Sequence, residues 1–317
     1  MPPISHFEFR ISHSSKPPIS AFLLPVTFGI ATPCWRQESL LRLAAASVAE
    51  QSGDGVQVDH VAQIKDSARE ALDHLARDCP ALRIFHGHDT GMYDAINRAL
   101  DQTQGEIMGY LNADEQYLPG TLARVAHFFK THPEIDLLFG DALLLDQSWQ
   151  PRVYRRVVKP GPLYTRIWHL NTLTCSTFWR RRVWEAGIRF DPAWKFIGDC
   201  DWVVRAQAAG FRSACLPEPL AAFVYTGSNL GSSPAFEAER AAWRDGIPGW
   251  RLLRPPLQTA YILRKCAAGA YRTHSVRFGP YTPDTFPQRS PARTHSLTWK
   301  WPREWQHWRE SGGETDL

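Results

Sequence analysis

Ile107-Met-Gly-Tyr-Leu-Asn-Ala-Asp-Glu-Gln-Tyr-Leu-Pro119 is the stretch on which the fold turns. Its first five residues are apolar or aromatic around one glycine, the length of a buried strand, and pass straight into Asn112-Ala-Asp-Glu115. Pro119 then opens a helix whose apolar stripe is Leu122, Val125 and Phe129, proline being well tolerated in a first turn. A strand, an acidic turn and a helix in immediate succession make up one repeat of an α/β sheet.

The same unit recurs upstream. Val26 to Thr32 reads as a strand ending at Pro33, followed by a helix over about 38–51. Val56 to Ala62 is a second strand, and Ala68, Ala71, Leu72, Leu75 and Ala76 mark a helix within 66–78. Leu82 to Phe85 is a third strand, and after the turn His86-Gly-His-Asp-Thr-Gly91 a helix carries Met92, Ile96, Ala99 and Leu100 on one face. Downstream, Ile135 to Phe139 closes the series. Strands over 142–145, 152–158 and 175–179 and a helix over 201–209 complete the reading. Such alternation implies right-handed crossovers and a mostly parallel central sheet with helices on both faces. Ligands then bind beyond the carboxyl ends of the strands, which singles out Thr32-Pro33, Gln63 to Asp66, His86 to Asp89 and Asn112 to Glu115.

Composition sets the bounds. With 317 residues, 44% apolar and 21% charged, and a mean hydropathy of −0.34, the chain is too rich in core formers to be disordered. Its six cysteines stand singly, without a CxxC pair, and read as reduced thiols. The best apolar run, Ala21 to Thr32, is broken by Pro25, and the first residues lack the pattern of a signal peptide. The expectation is a cytoplasmic protein with an extension over 1–24, a main domain over 25–230 divided near 141, and an extension over 231–317. Residues 251–310 hold eleven Lys/Arg against Asp284, Glu304 and Glu310, a net +8, leaving −4 elsewhere. That basic stretch, with Trp299, Trp301, Trp305 and Trp308, suits peripheral contact with the inner face of a membrane or, equally, packing on the main domain. No nucleic-acid partner is expected.

Two constellations carry chemistry. Oxygen ligands of the Asn112, Asp114 and Glu115 type suit a hard divalent cation, Mn²⁺ or Mg²⁺, and equally suit a helix cap. Gly198-Asp-Cys-Asp-Trp202 opens a helix, where Asp199 and Asp201 read either as capping carboxylates or as a general base. His86 and His88 have no further ligand at metal spacing.

The runs DTGMYDAINRAL (89–100), TQGEIMGYLNADEQYLPGTL (103–122), DLLFGDALLLD (136–146), STFWRRRVWEAGIRFD (176–191) and GDCDWVVRAQAAGF (198–211), in this order, resemble the bacterial inverting glycosyltransferases of family 2, which have the GT-A fold. The resemblance covers about 26–230. It implies a nucleoside-diphosphate sugar donor, with uridine the expected base, and a glycan or lipid-linked acceptor in cell-envelope or extracellular polysaccharide synthesis. It further implies Thr32, Pro33 and Trp35 as nucleotide-pocket walls, Asp89 and Asn97 as shapers of the sugar site, and Asn112, Ala113, Asp114 and Glu115 on the metal and diphosphate motif. Asp199 falls on the catalytic base, with Asp201 the alternative if the register shifts by two. The family's second strand normally ends in an Asp, where this chain has His60-Val-Ala-Gln-Ile-Lys-Asp-Ser67, so Gln63 or Asp66 is the expected substitute. A nucleotidyltransferase and a catalytically silent nucleotide-sugar-binding module are the rival readings. The first would want a glycine-rich, lysine-bearing phosphate loop that ATPCWRQ lacks.

Overall fold

A computed structural model describes residues 24–53, 55–225 and 234–302. Four parallel strands form its N-terminal half: β1 (Val26–Trp35), β2 (Val56–Lys65), β3 (Leu82–His86) and β4 (Ile107–Tyr110). The helices α1 (Glu38–Ala49), α2 (Arg69–Asp78) and α3 (Met92–Gln102) connect them. After the short β5 (Glu115–Tyr117) and α4 (Thr121–Thr131) come β6 (Leu137–Leu145), β7 (Pro151–Arg155), α5 (Pro162–Ile167), β8 (Thr177–Arg180), α6 (Arg181–Glu185), α7 (Gly198–Ala208) and β9 (Ser213–Val224). Among the described residues these strands form one nine-stranded sheet in the order β3, β2, β1, β4, β8, β6, β9, β5, with β7 on the edge of β6. β8 is antiparallel to β4 and β6, so β6 and β9 run in the same direction as β1. The carboxyl ends of β1 to β4, β6 and β9 therefore lie along one edge, and the candidate site lies there.

The predicted strands at 135–139 and 142–145 are one element. All nine residues of β6 are buried, each leucine contributing about 1.5–3 kcal/mol by leaving water. The sequence reads as interrupted because Gly140-Asp141 falls in the middle. A Cβ at Gly140 would sit 2.3 Å from a Leu220 methyl, so only glycine lets β9 approach. Asp141 is fully buried, its carboxylate accepting the Tyr154 hydroxyl at 2.6 Å and the Val157 N–H at 2.8 Å and facing Arg156 at 3.0 Å. Burial still pushes its carboxyl up to about 6.

C-terminal to the sheet stand α8 (Pro234–Asp245), α9 (Trp250–Ala267) and a hairpin of β10 (His274–Phe278) with β11 (Arg293–Leu297). The sequence pattern predicts that Pro255-Pro256 interrupts any helix, yet α9 runs through both. Two prolines remove only two backbone donors, and the residues around them are exposed, so water satisfies the freed carbonyls. Tyr261 and Leu257 turn inward against Val158 and Tyr164, whereas Leu252 and Leu263 stay exposed, 83% and 64%. The apolar side chains of α9 are thus divided between packing and solvent. The hairpin packs Val276, Phe278 and Leu297 onto Leu143, Leu145, Ala222 and Val224. Trp305 and Trp308, and the rest of the basic stretch beyond 302, lie outside the described residues, as do residues 1–23. No described helix is long and apolar enough to cross a membrane.

Candidate active site

The edge formed by the strand ends is built in two levels, because β1 and β2 are buried along most of their length and emerge there only at their last residues. At the end of β1, Trp35 is 62% exposed and its indole N–H donates to Asp66 Oδ2 at 3.3 Å; Trp35 and Lys65 are register partners. Asp66, just past β2, holds a positive φ of 57°, a conformation that Asp tolerates better than most residues. Trp35 and Asp66 thus make an exposed aromatic and carboxylate corner. Pro33 is buried beneath it.

Several residues that the resemblance places against the ligand lie lower. Thr32 is fully buried and its Oγ1 pairs with His60 Nε2 at 2.9 Å; burial lowers the imidazole to about 3, which keeps it neutral. Gln63 is buried and donates to the Gly87 carbonyl at 3.1 Å, securing the turn after β3. Ala113 packs in the core with Cys34, Leu41, Ala62 and Ile64. Asn97 spends its amide on one partner, donating to the Phe190 carbonyl at 2.7 Å and accepting the Phe190 N–H at 3.1 Å. These four are supports under the crevice. Their side chains do not line it: Thr32 and Ala113 are buried in the layers beside the sheet, and Gln63 and Asn97 are committed to the Gly87 and Phe190 backbone.

Asp89 is also buried, with its Oδ1 accepting the Gly91 N–H at 3.1 Å. Lys65 Nζ donates to the Asp89 carbonyl at 2.8 Å and lies 3.9 Å from its carboxylate. This lysine falls among the residues that the sequence pattern singles out after the second strand, but the pattern assigns it no role of its own.

Beyond β4, Glu115 folds back so that its Oε2 accepts the Asn112 N–H at 2.7 Å. Glu115 is buried, and burial together with the Asp114 charge pushes its carboxyl up to about 8. It shapes the turn and is not a cation ligand on the crevice surface, which corrects the expectation for that residue. The Asn112 Oδ1 is a buried oxygen with no hydrogen-bond partner among the described residues, and an orphaned acceptor of that kind costs on the order of 1–3 kcal/mol. Half-buried Asp114 lies beside it, its carbonyl accepting the Val224 N–H at 3.2 Å. One carboxylate and one unsatisfied carboxamide oxygen fit a hard divalent cation that takes its remaining ligands from water and phosphate. No group of three or more His, Cys, Asp or Glu side chains gathers as a metal site among the described residues, His86 and His88 included.

Across the crevice, Asp199 stands in the first turn of α7. Its Oδ1 accepts the Cys200 N–H at 2.8 Å and lies 3.4 Å from the Tyr93 hydroxyl, itself 3.0 Å from the Phe196 carbonyl. Burial raises its carboxyl above the ordinary aspartate value. Tyr110, at the end of β4, is buried, and the nearby Asp199 and Glu115 charges add to burial in raising its hydroxyl. Asp201 differs: it is held at 2.6 Å by Arg205, which also donates to the Arg189 carbonyl. Gly198 lets α7 start against Tyr93, since a Cβ there would fall 2.6 Å from the buried ring. Gly198→Ala is accordingly expected to lower the melting temperature by several degrees, the scale of 1–3 kcal/mol of overpacking, and to reduce turnover by displacing Asp199. A calorimetric scan with an assay checks it, and an unchanged melting temperature would refute the packing argument.

Comparison with known proteins gives the family and the fold. Residues 30–183 match the model of glycosyl transferase family 2. A "PGL/p-HBAD biosynthesis glycosyltransferase" of Mycobacterium bovis is 32% identical over 184 residues, covering 56% of this chain and 68% of the relative, and its Mycobacterium tuberculosis counterpart matches equally. The chain belongs to glycosyl transferase family 2. Among solved structures, S. aureus TarS 1-349 in complex with UDP-GlcNAc superposes with a TM-score of 0.54 at 16% identity, covering 76% of this chain and 73% of that one. A longer TarS structure gives 0.51 at 17% identity, over 64% of this chain and 37% of that one. These establish the GT-A fold for this glycosyltransferase. The family-model match ends at residue 183, before α7, so Asp199 stands on the geometry given above.

Proposed function

We propose that this glycosyltransferase moves a sugar from a nucleoside-diphosphate donor, UDP-linked, to an acceptor hydroxyl with inversion. One observation carries the reading: Asp199, in the first turn of α7, makes no ion pair among the described residues, burial raises its carboxyl, and its Oδ1 lies 3.4 Å from the Tyr93 hydroxyl. A base with those properties takes a proton from a bound hydroxyl and is not neutralised beforehand by a cation. In a single displacement the acceptor oxygen bonds to the anomeric carbon as the bond to the diphosphate breaks, and the hydroxyl proton passes to Asp199. The corner of Trp35 and Asp66 would stack on and hydrogen-bond the base of the nucleotide, Asp66 serving where the family has an Asp at the second strand's end. Asp114 and Asn112 would hold the divalent cation, Mn²⁺ or Mg²⁺, which supplies charge neutralisation at the departing diphosphate. Lys65, tied to Asp89, keeps the turn at 89–91 against the sheet, and the acceptor, a glycan or lipid-linked hydroxyl, enters from the α5 and α7 side.

A thermal-shift panel of nucleotide sugars, with and without Mn²⁺, tests the reading. UDP or a UDP-sugar at 100 times its Kd should stabilise the fold by about 2.7 kcal/mol, more strongly with the metal present. No shift with any nucleotide would refute it.

A further inference from the structure

The helix that carries Asp199 starts without a cap of its own. Ile197 occupies the N-cap position of α7 and offers no side-chain acceptor, and among the described residues the N–H groups of 195–197 just ahead of the helix find no backbone acceptor. Glu239 of α8 supplies one. Its Oε1 accepts the Lys195 N–H at 2.7 Å, and its Oε2 accepts the Phe196 and Ile197 N–H groups at 2.7 and 3.0 Å. A single carboxylate thus takes up three consecutive donors at the positive end of the helix, where negative charge is favoured.

The clamp is braced at both ends. On its own side, Arg240 Nη1 donates to the Trp168 carbonyl at 2.9 Å and Arg166 Nη2 to the Trp243 carbonyl at 3.2 Å, which fastens α8 to the α5 region. On the other side, Lys195 sends its Nζ to the Thr90 carbonyl at 3.1 Å and the Pro192 carbonyl at 3.3 Å, and the Phe196 carbonyl meets the Tyr93 hydroxyl. The segment that Glu239 holds therefore touches the turn at 89–91 and leads within two residues to Asp199. Glu239 lies outside residues 30–183, and among the described residues nothing else accepts the Lys195, Phe196 and Ile197 amides.

We propose that Glu239 is a positioning residue: it fixes the segment 195–197, and through it the Asp199 carboxylate, in the orientation needed to receive the acceptor proton. This rests on Asp199 being the base. Placement errors on the order of 1 Å cost catalysis far more than they cost binding, so the effect belongs in turnover.

The test uses the full chain as Glu239→Ala, Glu239→Gln, Asp199→Asn and the Glu239→Ala/Asp199→Asn double variant. Glu239→Ala should speed hydrogen exchange of the Lys195, Phe196 and Ile197 amides by about tenfold or more. It should also lower kcat by ~10- to 100-fold with the donor KM nearly unchanged. Glu239→Gln can keep its single oxygen on the Phe196 and Ile197 N–H groups but turns its NH2 toward the Lys195 N–H, so it should recover protection at 196 and 197 and part of the turnover. The double variant should turn over no more slowly than Asp199→Asn alone. Native exchange in Glu239→Ala, a Gln variant no better than Ala, or a further multiplicative loss in the double variant would each overturn the role of Glu239 while leaving the base assignment standing. Full turnover by Asp199→Asn would instead overturn the base assignment, and this proposal with it.

Discussion

Asp199→Asn should cut turnover by ~10² or more while donor binding and fold persist, the scale of a lost general base. The amide oxygen still accepts the Cys200 N–H, so the start of α7 keeps its shape. What disappears is the capacity to take a proton. If Asp199 is the base, the native enzyme should carry the corresponding pH signature. Burial raises the Asp199 carboxyl above its ordinary 3.8, so the base protonates, and kcat/KM falls, at a pH above that value. The same shift predicts the stability change. A carboxyl whose pKa is raised on folding favours the native state at low pH, and that advantage is lost as pH rises from the unfolded toward the folded pKa. At neutral pH the neutral Asn removes that penalty, and the variant should melt no lower than the native protein. Asp201→Asn should be milder in rate, because its carboxylate is committed to Arg205. A reversed order of the two rate effects would move the base to Asp201, and a melting point depressed in Asp199→Asn would assign that residue to structure.

The spacing of Asp201 and Arg205, four apart on a helix, was already visible in the sequence and is the signal that separates the two acids. Other parts of the fold were readable for equally local reasons. β1 to β4 emerge because each apolar run is bounded by turn residues and followed by a helix-period stripe, and the acidic turn is fixed by its place after β4. β9 was not readable, since Pro217-Glu-Pro219 looks like a loop; the strand survives there by shifting register against Gly140 and Asp141. α9 was missed because the cost of proline depends on which carbonyls are left open, and that depends on exposure. Which side chains of the strand ends reach the crevice was only half readable. Sequence proximity treats Thr32 and Trp35 alike, whereas one is fully buried and the other projects into solvent. Lys65 and Glu239 act through tertiary contacts of 24 and more than 40 residues' separation, which no local pattern encodes.

Asp114→Ala should abolish transfer, by ~10³ or more if one ligand of a charge-neutralising cation is worth what a single oxyanion donor is worth. The fold should remain. Asp114 is half-buried at the edge of the crevice, its backbone carbonyl still receives the Val224 N–H, and the Asn112 N–H remains capped by Glu115, so the turn keeps both of its main-chain bonds. Removing a negative charge beside the buried Glu115 also relieves a repulsion that contributes to that carboxyl's shift. The variant therefore separates chemistry from structure. Asn112→Asp provides the complementary arm: it converts the unpartnered carboxamide oxygen into a carboxylate and, if a hard cation sits between 112 and 114, should tighten Mn²⁺ binding in the presence of UDP. Titration calorimetry with Mn²⁺ and UDP, alongside an assay with and without EDTA, reads both arms. Full transfer by Asp114→Ala in EDTA would show that the turn at 112–115 holds no cation. Native Mn²⁺ affinity in both variants would place the ion elsewhere along the strand ends, with Asp66 and Asp89 the remaining carboxylates there.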